Sequence, residues 1–287
     1  MGTADFARRW HPRCLSGILR WRTRVWKPCL TGVGVRSMNA AFTSYDVLGV
    51  PISALTLDSA CSTIETWGSD KVGRFVCVRD VASLMAIISD PDLSGVHDDA
   101  AMITPDGMPL VMLGKLKGFK VERTCGPDLM DHVIARSLKS GLRHYFYGGK
   151  EGVPETLAKV FEQKYPRIRV VGVESPPFRP LTKEEDDDAV QRILASGADV
   201  VWVGISSPKQ EIWMRDHYKR LTQTLIGVGA AFDFHSGAVT RAPRWMQRCS
   251  LEWLHRLISE PKRLWRRYLI LAPKFVFLII FDSIRTK

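Results

Sequence analysis

The sequence predicts an α/β protein: a Rossmann-like, mostly parallel sheet with helices on both faces, extended by a C-terminal amphipathic helical appendage. Three observations predict it. From about residue 46, short apolar runs alternate with stretches of helical periodicity. Polar or glycine-rich turns close those runs. After residue 240 the alternation gives way to basic and aromatic residues.

The elements follow in order. "FVCV" (75–78) leads into "VASLMAIIS", and "AMIT" (101–104) into "GMPLVMLGKL". "HYFYGG" (144–149) precedes "VPETLAKVFEQKY", in which Val153, Leu157, Val160 and Phe161 recur at helical spacing. "VVGV" (170–173) is followed by a helix over roughly 182–196, "VVWVG" (200–204) by "KQEIWMRDHYKRL", and "TLIGVG" (224–229) closes the series. Apolar strands with helices between them, and no alternation of polar residues, imply a parallel sheet covered on both faces. Beyond residue 240 the pattern predicts two helices split at Pro261 and disturbed again at Pro273. Leu251, Leu254 and Ile258 begin an apolar stripe that Leu264, Trp265, Tyr268 and Leu269 continue, with Arg256, Arg263, Arg266 and Arg267 on the basic side. That pairing suits a helix lying in a membrane interface, against the plainer reading of a helix packed on its own domain.

Charge supports the division. The chain of 287 residues has a net charge of +11, but the middle is acidic. Residues 1–36 hold eight Lys or Arg against Asp5, and residues 241–287 hold eleven against Glu252, Glu260 and Asp282. A basic N-terminal extension (1–40, expected to be poorly ordered), an α/β domain (41–240) and a basic appendage (241–287) are therefore expected, with an anionic membrane surface as the appendage's partner. The N-terminal segment lacks a signal-peptide apolar core, and Met38 is an alternative start. No apolar run reaches the roughly 20 residues of a bilayer span. Six scattered cysteines without a C-x-x-C pair imply neither a disulfide framework nor a zinc site. No nucleic-acid-binding motif accompanies the basic ends.

Ligands of open α/β sheets bind beyond the carboxyl ends of the strands. Those ends carry Arg79-Asp80, Asp106, Gly148-Gly149-Lys150, Gln210-Glu211 and Asp233 with His235. Asp106 in "ITPDGMPLV" reads either as a helix N-cap or as a base at the sheet mouth. "YGGKEG" fits no dinucleotide or P-loop pattern; it is a phosphate-approach turn or a plain glycine turn. Asp90-Pro91-Asp92 and "EEDDD" (184–188) are acidic but read as solvated, so no metal site is expected.

Taken in order, "TPDGMPLV", "ERTCGPDLM", "YFYGGKEGV", "SPPFRP", "VGISSPKQEIW", "GVGAAFDFHSG", "RAPRWMQ" and "LEWLHRLISEPKRLWRRYL" closely resemble the WecG/TagA/CpsF family of bacterial glycosyltransferases, the inverting family 26. The resemblance covers roughly residues 46–270. It implies transfer of a sugar from a UDP-sugar to a polyprenyl-diphosphate-linked saccharide, without a metal or other cofactor, by a peripheral protein on the cytoplasmic face of the bacterial inner membrane. The products would be exopolysaccharide, capsule, teichoic acid or common-antigen type. It places the catalytic base on Asp106, donor contacts on Asp80, Arg123 and Gln210, and contacts to the leaving or lipid diphosphate on Arg256, Arg263 and Arg266. Gly148, Gly149, Glu211 and Asp233 join the substrate site by their strand-end positions. The family's T-x-N pattern falls on Val78 and Asp80, a departure that adds negative charge and points to an uncharged donor of N-acetylmannosamine or hexose type. The alternative is a non-catalytic UDP-sugar or lipid-diphosphate binding protein on the same fold. Homo-oligomerisation is compatible with either.

Overall fold

The computed structural model describes residues 42–90, 93, 95–249 and 251–285. The basic segment 1–40 lies outside the described residues, as do Pro91 and Asp92.

The described residues open with an antiparallel hairpin, β1 (Ser44–Val47) and β2 (Val50–Ser53), that sequence reading missed. Its strands are only four residues each, and Leu48-Gly49 turn it at positive φ. The hairpin joins the domain where the Ile103 N–H donates to Ser53 Oγ at 3.1 Å. Helix α1 (Leu57–Asp70) follows behind a capping box at Thr56 and Ser59. Then come β3 (Arg74–Arg79), α2 (Val81–Ile88), α3 (Val96–Asp99), β4 (Met102–Pro105), α4 (Met108–Leu116) and α5 (Gly126–Ser140). The second half alternates β5 (Arg143–Gly148), α6 (Val153–Lys164), β6 (Arg169–Glu174), α7 (Lys183–Ser196), β7 (Val200–Gly204), α8 (Lys209–His217), β8 (Thr224–Gly227) and α9 (Ala231–His235).

Strands β3 to β8 form one six-stranded parallel sheet in the order β4-β3-β8-β7-β5-β6. The expected Rossmann-like architecture is thus present. Strand pleating sends alternate side chains to opposite faces, and each face finds helices. Phe75, Cys77, Tyr145, Tyr147, Val201 and Val203 pack with Met85 of α2, Ile193 of α7 and Met214 of α8. Val76, Phe146, Val200, Trp202 and Ile226 pack on the other face with Ile64 of α1, Ile134 of α5 and Phe161 of α6. Both faces are dry, which is why the strands read as unbroken apolar runs.

The acidic run after residue 183 is engaged rather than merely solvated. Glu185 closes the α7 capping box and pairs with Arg179, while Asp186 accepts from His217 and Arg220 and so ties α7 to α8. The early acidic residues also suit the positive end of the helix dipole.

The C-terminal segment forms α10 (Arg244–Arg248), α11 (Glu252–Ser259), α12 (Pro261–Arg266) and α13 (Ala272–Arg285). Pro261 begins α12, as expected of a first-turn proline. At Pro273 the helix is disturbed, as expected, without being broken. A π-helical turn over Arg267–Leu271 joins α12 to α13 and accommodates the hydrogen bond that Pro273 cannot donate. Leu264 and Phe275 are buried, and Phe275 packs into the core cluster that contains Leu84 and Met85 of α2. The segment therefore packs on the domain along one side, while Phe277, Ile280, Phe281 and Ile284 remain exposed on the other. Among the described residues no helix is long and apolar enough to cross a membrane.

Candidate active site

A cleft with a cavity volume of about 1140 Å³ runs along the carboxyl ends of the strands. It is lined from Asp106 after β4, past Asp80 after β3, to Pro177 and Phe178 after β6. Five strand spacings of about 4.8 Å make that edge roughly 24 Å long. Asp80, Asp106, Gly149, Gln210, Asp233 and Arg256 all border this one space.

Asp106 follows β4 directly. Its N–H donates to the Arg79 carbonyl at 2.7 Å, which fixes the turn against β3. The N-cap of α4 is Gly107, with no side-chain cap, so the capping reading of Asp106 fails. What holds the side chain is Arg123. Its Nε donates to the Asp106 carbonyl at 2.7 Å and its Nη2 to Oδ1 at 3.0 Å. The carboxylate keeps 29% of its exposure, toward the cleft. Burial raises its pKa above the ordinary carboxylate value, Arg123 pulls against that rise, Glu252 adds to it and Arg256 opposes it. Burial wins.

The cap belongs instead to Asp80, whose Oδ1 accepts from the Ser83 N–H at 2.8 Å in a capping box at the start of α2. Its Oδ2 accepts from Nη2 of Arg267, which reaches in from the π-helical turn. The extra negative charge at this position is therefore paired.

Gln210 is 3% exposed at the cleft floor, its Nε2 donating to Glu211 at 3.0 Å and its Oε1 without a partner. Glu211 is buried and does not line the cleft; it pairs with the fully buried Arg79 at 2.7 Å. Arg79 also donates to Nε2 of His97 at 3.0 Å, and burial together with Arg79 pushes that histidine down to about 3. A neutral imidazole can accept that bond. Glu211 thus supports the floor from beneath.

Gly148 and Gly149 both have positive φ, and a Cβ on Gly148 would lie 2.6 Å from the Gly204 carbonyl carbon. These glycines let β5 and β7 end in close contact, and the Gly149 N–H is already given to the Gly204 carbonyl at 3.0 Å. Gly149 itself forms cleft wall.

Arg256 of α11 lines the cleft, its guanidinium 5.6 Å from the Phe234 ring centre. Arg266 does not: it is exposed and lies over the Trp265 ring. Arg267, the next residue, takes the place in the cleft. The side chain of Arg263 lies outside the described residues. Sequence reading also missed the stack of Tyr147 on Trp213 (4.6 Å) and of Trp213 on His217 (4.4 Å) along the wall, although "YFY" and "EIW" mark it. Among the described residues no group of three or more His, Cys, Asp or Glu side chains is placed to hold a metal ion.

The site presents one half-buried carboxylate of raised basicity at one end, arginines from a separate helical segment beside it, and a long cleft with a polar floor. That arrangement can take a proton from a hydroxyl and stabilise a departing anion. Residues 45–287 match the model of the family described as glycosyl transferase WecG/TagA/CpsF, a span that runs from the first hairpin to the end of the chain.

Proposed function

The chain belongs to the WecG/TagA/CpsF glycosyltransferase family, and on that premise we propose that it is an inverting transferase that moves an uncharged sugar from a UDP-sugar to a polyprenyl-diphosphate-linked saccharide. The placement of Asp106 carries this reading: a half-buried carboxylate of raised basicity, held by Arg123 and free of capping duty, at the end of a cleft long enough for both substrates.

Inversion needs one displacement. Asp106 takes the proton of the acceptor hydroxyl as its oxygen attacks the anomeric carbon, and the bond to the UDP oxygen breaks on the opposite face. Negative charge then grows on the departing diphosphate. Arg256 and Arg267 border the cleft on the side of Asp106 and Asp80 and supply the compensating charge. With cations of the protein in that role, the transfer is metal-independent. Gln210 Oε1, buried and unpartnered, suits a sugar hydroxyl. A donor sugar lying against Asp106 and Asp233, both of which border the cleft, would be disfavoured as a uronate even with Asp80 paired to Arg267.

A panel of UDP-sugars against polyprenyl-diphosphate-linked monosaccharides, run with and without a chelator and with product anomers determined, tests the reading. Expected is an inverted product from a UDP-hexose or UDP-N-acetylhexosamine at a rate the chelator leaves unchanged. A retained anomer, fastest turnover with a UDP-uronate or loss of activity on chelation would each remove the corresponding part.

The raised basicity of Asp106 has a direct signature. The base works only when deprotonated, so turnover is lost as pH falls through its pKa. The acid limb of the kcat/KM profile should therefore lie above the ordinary aspartate value of 3.8. A limb at or below that value would contradict burial as the dominant influence.

A further inference from the structure

Arg123 does not serve Asp106 alone. Its Nη1 lies 3.0 Å from Oε2 of Glu252, the first residue of α11, as an ion pair without hydrogen-bond geometry, while its Nη2 holds Asp106. Glu252 is 9% exposed and its other oxygen meets Nε of Arg241 at 3.3 Å. Arg241 continues to Asp128 at 2.6 Å, and Asp128 accepts from the Cys125 thiol at 3.0 Å. Three carboxylates thus share two guanidinium groups, and one of the three is the carboxylate facing the cleft.

The middle carboxylate comes from the C-terminal segment, which docks on α2 through buried Phe275 and through the Arg267–Asp80 pair, with Leu264 buried at the cleft. We propose that Glu252 is a positioning residue for the candidate base, acting through Arg123, so that the working state of Asp106 requires α11 to be docked. This rests on Asp106 being the base. Without Glu252, Arg123 would turn its full charge on Asp106 and weaken it as a base.

The groups facing this relay set the sign. Asp106 is faced by Arg123, Glu252 and Arg256, with the Asp80–Arg267 pair alongside; Glu252 faces Arg123 and Arg241, and Cys125 and Asp128 lie behind. Removing the negative charge of Glu252 favours the charged form of Asp106, so the acid limb moves to lower pH. Removing the positive charge of Arg241 leaves Glu252 and Asp128 less compensated, so the limb moves to higher pH. A residue with only a structural role would lower activity at every pH without moving the limb.

The experiment is the pH profile of kcat for the full chain with a lipid-linked acceptor. For Glu252→Gln the acid limb should move down by about half a pH unit or more, and the plateau should fall about threefold to tenfold with donor KM unchanged. Glu252→Asp should return the limb toward its original position. In an Arg123→Gln background, Glu252→Gln should no longer move it. Arg241→Gln should move it up, and that variant decides the matter if Glu252→Gln fails to fold. An unmoved limb in folded Glu252→Gln, a shift that persists without Arg123, or a downward shift in Arg241→Gln overturns the proposal. If Asp106→Asn retains turnover, it is the base assignment that fails. If Asp106→Asn is inactive and the Glu252→Gln limb stays put, only the role of Glu252 falls.

Discussion

Replacing Asp106 by asparagine is expected to lower turnover by about two to four orders of magnitude, the usual worth of a general base, while UDP-sugar binding stays within about threefold. The substitution suits the geometry. Asparagine has the same shape, and its amide oxygen can still accept from Nη2 of Arg123, so the turn held by the Arg79 and Asp106 backbones should persist. Only the capacity to take a proton is lost. Side-chain capping cannot confound the result, because α4 is capped at Gly107 without help from Asp106. Single-turnover rates at saturating donor, with UDP-sugar affinity measured separately, check both halves. Turnover within tenfold of the unsubstituted chain would exclude Asp106 as the base. Such a result would move the base to another group; the non-catalytic binding protein is favoured only if the unsubstituted chain itself shows no turnover with any donor.

The parts of the fold that the sequence disclosed are those with one dominant physical cause. The strands β3, β4, β5, β7 and β8 are buried on both faces, so each holds a run of mostly apolar residues, with Arg79, Thr104, His144 and Thr224 buried at or near the strand ends. The hairpin of β1 and β2 stayed hidden because four-residue strands with one turn leave too short a pattern. Helix α5 was passed over although Leu129, Met130, Val133 and Ile134 carry the same kind of helical spacing as α6.

The site divides in the same way. Asp106, Asp80 and Gly149 were legible because each sits immediately after a strand, and Gln210 because it opens the helix that the turn after β7 leads into. Glu211 shares that position but turns inward to Arg79, and only tertiary packing decides which of two adjacent side chains faces the cleft. Arg266 was assigned from the family resemblance, and it is the folded segment that puts its neighbour Arg267 at the cleft instead. Glu252 and Arg241 lie in the motifs "LEWLHRL" and "RAPRWMQ" but were not assigned to the site. Their importance lies in contacts to Arg123 and Asp128, more than 100 residues away in sequence.

The second large effect is expected on the exposed face of α13. Phe277, Ile280, Phe281 and Ile284 follow i, i+3, i+4 and i+7 spacing and are 56–71% exposed, an apolar stripe that water does not favour. Val276, Leu269, Ile270 and Trp265 extend it, and Lys274, Arg266 and Lys262 are exposed on the same segment. That combination suits the headgroup region of an anionic bilayer, where the polyprenyl acceptor would also be found. Deleting residues 247–287 would be a poor test, since it also removes Glu252, Leu264 and Phe275 and uncovers the core around Met85. Changing the four stripe residues to serine leaves those buried contacts in place. Each large apolar side chain contributes about 1.5–3 kcal/mol when fully buried. Even at half that value the quadruple variant should lose at least about two orders of magnitude in partitioning onto anionic vesicles. Turnover on a lipid-linked acceptor in those vesicles should fall in parallel, whereas turnover on a short-chain, water-soluble acceptor should stay within about threefold. Vesicle co-sedimentation and the two acceptor assays check this. Unchanged partitioning would assign the stripe to another partner. Equal losses on both acceptors would mean that α13 supports the active site itself, through the packing of Phe275 on α2 and the Arg267–Asp80 pair.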